Sequence, residues 1–125
     1  MRIHHVGIIC KNIEKSVIDY KKNFEVIDTS DIVYDPLQDA RLCMIKTSTG
    51  LDVEFISGNQ VENLKKRGVN YYHLCYEVDD LEVAIARFES NGAVIVSQPK
   101  PAILFKNRRV AFLMLNSGLI ELVEK

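Results

Sequence analysis

The 125 residues contain no tryptophan, only three prolines and only three cysteines. Cys10, Cys43 and Cys75 are odd in number, lack C-x-x-C spacing and lie in apolar stretches, which excludes a disulfide framework and suits buried reduced thiols. A cysteine nucleophile is disfavoured too, because neither a base nor a helix start adjoins any of the three. Charge of one sign is also missing. Sixteen basic against 17 acidic residues leave a net charge of -1, which argues against a nucleic-acid or anionic-membrane partner. The one basic cluster, Lys65-Lys66-Arg67 before Gly68, reads as the solvated end of a short helix. No apolar run approaches the roughly 18 residues of a membrane span, and no signal-peptide core precedes the strand pattern that starts at Ile3. A cytoplasmic protein of a single domain is expected.

What is present is a repeat. Residues 4–23, HHVGIICKNIEKSVIDYKKN, read as a strand through Cys10, a cap at Asn12 and a helix with apolar residues on one face. Residues 72–91, YHLCYEVDDLEVAIARFESN, do the same, with Asp79 or Asp80 as cap and Leu81, Ala84, Ile85 and Phe88 at helical spacing. At a shift of 68 residues His5 meets His73, Glu14 meets Glu82 and Asn23 meets Asn91. Three strand candidates follow each helix, at 25–34, 39–47 and 51–57 and at 93–97, 108–115 and 119–124. The reading is α+β, two βαβββ modules at 1–57 and 71–125 joined by a connection at 58–70. Residues 98–107, QPKPAILFKN, are the irregular stretch, where Pro99 and Pro101 argue against helix or central strand and suit a loop beside a binding site.

Strand alternation isolates four residues. TGLDVEF and SGLIEL pair Glu54 with Glu121, and each of His5, Glu54, His73 and Glu121 lies opposite the face its module packs on the helix. Their neighbours on that second face are mostly apolar, so the face is sheltered. A sheltered carboxylate requires a partner or a metal, because the desolvation of a lone charge costs several kcal/mol. Taken singly, each histidine reads best as a core residue and each glutamate as an exposed strand position. Taken together, two imidazoles at one equivalent place and two carboxylates at another suit a single divalent cation. His4 points the other way, has no repeat partner and is read as structural, as are Met44, Met114 and Phe105.

Through HHVGI, DVEFI, YYHLCYEVDDLE and SGLIELVE the chain resembles the vicinal oxygen chelate superfamily, over essentially its whole length. That resemblance implies paired modules whose curved mixed sheet surrounds a metal site, within one chain or across a homodimer. It implies His5, Glu54, His73 and Glu121 as ligands of one divalent ion: Ni, Co, Mn or Fe in six-coordination, in preference to Zn. The His/Glu/His/Glu set resembles bacterial glyoxalase I, and a glyoxalase I-like lyase acting through an enediolate is the leading expectation. The loop pattern around PKPAILFKNRRVAFL resembles the epimerase branch, which gives a methylmalonyl-CoA epimerase-like racemase as the alternative, beside a non-catalytic small-molecule binder. Ile9 and Gly58 stand where glyoxalase I carries its glutathione-anchoring Arg and Asn, and Leu42 stands where the epimerases carry one of two bases. Glu121 is the expected proton-shuttling base with Glu54 its counterpart, and the substrate is a thiol adduct or an acyl-CoA. Asn107 and Arg108, after the irregular loop, are candidates to meet its anionic group.

Overall fold

Asn12 and Asp80 open two helices in the same way. In the computed structural model, which describes residues 1–125, Asn12 Oδ1 accepts from the Lys15 amide at 2.9 Å and Asp80 Oδ1 from the Val83 amide at 2.9 Å. Downstream, the side-chain amides of Asn23 and Asn91 donate to the carbonyls of Asp19 and Arg87, each at 3.0 Å. The repeat read from sequence therefore extends to individual hydrogen bonds.

The chain orders nine strands and three α-helices: β1 (Arg2–Ile9), α1 (Ile13–Asn23), β2 (Val26–Thr29), β3 (Val33–Asp35), β4 (Ala40–Thr47), β5 (Asp52–Ser57), α2 (Glu62–Lys66), β6 (Tyr71–Val78), α3 (Leu81–Ser90), β7 (Val94–Ala102), β8 (Arg108–Leu115) and β9 (Gly118–Glu124). They form two compact units, one of His5–Tyr72 and one of His73–Lys125 with Met1–His4. In the first, strand order is β2-β4-β5-β1, with β3 also on β4; in the second it is β6-β9-β8-β7. β1 runs parallel to β5 and β6 parallel to β9.

Helices α1 and α3 each cover one face of their own strands. Ile13 and Val17 of α1 pack on Cys43, Ile45, Val53 and Phe55. Leu81 and Ile85 of α3 pack on Val78, Ala111, Leu113, Ile120 and Leu122. Residues of the opposite parity, Glu54 and Glu121 among them, are thereby turned to the other face, as the alternation predicts.

Two expectations are corrected. The strand expected over 25–34 is two strands, because the Ser30 hydroxyl accepts from the Met44 amide at 2.8 Å and donates to the Asp31 carbonyl at 2.9 Å, taking over a place in the ladder and breaking the run. The irregular stretch expected over 98–107 is strand as far as Ala102. Register shifts between Ile95 and Ser97 and between Ser97 and Lys100 accommodate Pro99 and Pro101 on β7, whose other edge has no partner strand in its unit. Only the turn after Ala102 leaves the sheet, with Lys106 and Asn107 at φ of 55° and 65°. The connection at 58–70 carries a 3₁₀ turn and α2, and Lys65 at its end pairs with Glu62 at 2.8 Å. The three cysteines are free, with Cys43 and Cys75 buried, and burial raises the thiol pKa of Cys10 and Cys43. No helix is long and apolar enough to cross a membrane.

Candidate metal centre

In the unit of His5–Tyr72, β1 and β5 set Gly7 directly opposite Glu54. The parallel register then brings Glu54 beside His5, two residues earlier on the strand, with Nε2 and Oε1 3.6 Å apart. In the other unit β6 and β9 set Cys75 opposite Glu121, and His73 Nε2 lies 3.4 Å from Glu121 Oε1. Gly7 and Cys75 are themselves equivalent at the shift of 68, so both pairs are built by the same register. All four side chains are buried, with His5 at 0%, Glu121 at 1%, Glu54 at 3% and His73 at 4% exposure.

Burial of this depth makes a carboxylate costly unless positive charge faces it. The imidazole beside each one is a weak substitute, since both separations exceed the roughly 2.7–2.9 Å of a charge-assisted hydrogen bond. Two donor atoms held slightly apart, one nitrogen and one carboxylate oxygen, are what a first-row divalent ion takes as neighbours. Each pair fits the expected group by its chemistry and its shelter.

The remaining sequence candidates are placed differently. Arg108 is engaged: Nη1 donates to Glu77 Oε2 at 2.9 Å and Nη2 lies 3.1 Å from His4 Nε2, while Arg2 Nε reaches Glu77 Oε1 at 3.3 Å. The Arg108 hydrogen bond holds the Glu77 carboxyl below the usual carboxylate range against the opposing effect of burial. Asn107 serves the turn, its amide donating to the Ala102 carbonyl at 3.0 Å. Sequence reasoning missed Glu77, whose signal was its place on the His73 face, four residues along the strand. Leu42 is fully buried, and Met44 is directly opposite Glu54 on β5. A side chain at Gly58 would be strained: φ is +114° and a Cβ there would press on Ala40 Cα at 3.2 Å.

The model of the Glyoxalase/Bleomycin resistance protein/Dioxygenase superfamily matches residues 4–112. No curated protein sequence matches the chain. Among solved structures, methylmalonyl-CoA epimerase from Mycobacterium tuberculosis superposes with a TM-score of 0.83 at 22% identity, covering 98% of this chain and 87% of that one. A Streptomyces coelicolor methylmalonyl-CoA epimerase variant in complex with 2-nitronate-propionyl-CoA gives 0.74 at 24% identity, over 100% of this chain and 94% of that one. A methylmalonyl-CoA epimerase in complex with methylmalonyl-CoA and ammonium gives 0.73 at 24% identity, over 99% and 94%.

Proposed function

Because the chain belongs to the glyoxalase/bleomycin resistance protein/dioxygenase superfamily, we propose that it is a metal-dependent acid–base enzyme of the methylmalonyl-CoA epimerase kind. In this reading both His–Glu pairs hold one divalent ion, and a proton is moved at the carbon beside an acyl-CoA thioester carbonyl. The observation that carries the proposal is the pair of buried His–Glu couples, 3.6 and 3.4 Å apart and built by one register. Further support comes from three structural relatives that are all epimerases, two of them with acyl-CoA compounds in their complexes. The lyase reading put first on sequence grounds loses support at Ile9 and at Gly58, neither of which offers a polar side chain to hold glutathione.

A bound divalent cation would withdraw charge from the thioester oxygen and so acidify the neighbouring C–H, a contribution of several kcal/mol. His5 and His73 would supply the nitrogen ligands of such an ion, and Glu54 and Glu121 the carboxylate oxygens. Glu121 takes the proton from one side of the substrate carbon, and Glu54, its counterpart in the other unit, gives one back from the opposite side, which inverts that centre.

The test is α-proton exchange of methylmalonyl-CoA in D₂O, followed by NMR on protein of measured metal content. Exchange that falls at least about 100-fold in Glu121→Gln supports the reading. Metal-loaded protein that exchanges no α-proton of this thioester overturns it. Glu54 favours a second reading, since glyoxalase I of the bacterial kind carries Glu at this place and epimerases usually carry Gln. Turnover of the methylglyoxal–glutathione hemithioacetal without thioester exchange would establish the lyase instead.

A further inference from the structure

The His73 ring is held by an aromatic neighbour. Phe112, buried to 3% exposure on β8, meets the imidazole edge to face, with centroids 5.2 Å apart and planes at 84°. The antiparallel β8/β9 register sets the same Phe112 directly opposite Glu121. One side chain therefore flanks both members of the couple. Perpendicular packing at this distance is a favoured aromatic arrangement, and it resists rotation of either ring about its Cβ–Cγ bond. The equivalent residue in the other unit, opposite Glu54, is Met44, a flexible thioether that conforms to its neighbours instead of fixing them.

We infer that Phe112 is a positioning residue that sets the ring plane of His73 and so pre-organises His73 beside Glu121. The ring-plane statement stands on geometry alone. Its consequence for metal affinity rests on the metal-centre reading proposed above.

The decisive experiment gives unit two's position the other unit's residue. In Phe112→Met, long-range ¹H–¹⁵N spectra of metal-free protein are expected to show His73 resonances broadened or doubled while those of His5 keep their wild-type form. Titration with Co(II) alone should show affinity reduced about 10-fold, the lower end of what loss of a ligand-orienting contact costs. Phe112→Leu, which keeps apolar bulk without the ring, should reproduce both effects and covers the case in which the methionine variant folds poorly. Met44→Leu should leave Co(II) affinity within about twofold. Unchanged His73 resonances in both Phe112 variants would overturn the inference, as would an equal loss of affinity in Met44→Leu. Wild-type protein that fails to bind Co(II) would refute the metal-centre reading, while the imidazole spectra would still decide the role of Phe112.

Discussion

The two units follow one plan until they reach the ligand-bearing face. On the helix side the equivalence is close. Glu14 in the first turn of α1 takes a 2.7 Å bond from Arg41 on β4, and Glu82 in the first turn of α3 takes a 2.7 Å bond from Arg109 on β8. These residues correspond at the shift of 68, so the repeat preserves a strap from helix to strand as well as its caps. The strap is heavier in the second unit, where Arg109 also makes two bonds to Glu124, at 2.8 and 3.0 Å. On the other face the equivalent places diverge: Ile9 against Glu77, Ala40 against Arg108, Met44 against Phe112. Where packing a helix on strands is the only demand, the halves have stayed alike. They differ around the His–Glu couples.

That comparison can be strained from the core outward. Ile13→Ala and Leu81→Ala each remove the fully buried first residue of a helix, and each should cost about 2–5 kcal/mol in denaturant unfolding. Losses that differ by more than the width of that range would show that the units do not share one packing plan. Removing the caps is milder. Asn12→Ala and Asp80→Ala should each cost about 1 kcal/mol by the same measurement.

The smallest expected effect separates the units by pH. Glu77 has its pKa lowered in the folded protein by the Arg108 bond, so the ionised form stabilises the fold. This contribution is complete above the unfolded carboxylate pKa of about 4.3 and is lost as pH falls through the lower folded value. Between about pH 5 and pH 3 the melting temperature of wild type should therefore drop more steeply than that of Glu77→Gln. Parallel pH profiles would mean that the Glu77–Arg108 pair contributes nothing. Substitution at Ile9, the equivalent place, should leave the acid limb of the profile unchanged.

Much of this was legible in the sequence, because both fold and couples repeat in phase with short periods. Strand alternation put His5, Glu54, His73 and Glu121 opposite the helix-packed faces, and the structure buries all four there. The caps followed from residue type at the point where the period changes. What escaped had non-local or side-chain causes. The break between β2 and β3 depends on the Ser30 hydroxyl reaching β4, 14 residues away. The passage of β7 through Pro99 and Pro101 depends on register shifts against β8. Glu77 and Arg108 meet across 31 residues, with His4 and Arg2 added from the start of the chain, and no local pattern announces such a cluster.

Metal stoichiometry tests the central claim most directly. If the two couples serve a common ion, metal-free protein should take up one Co(II) per chain, and His5→Ala and His73→Ala should each abolish that uptake, although the residues belong to different units. Two independently bound ions per chain, or one that survives either substitution, would contradict it.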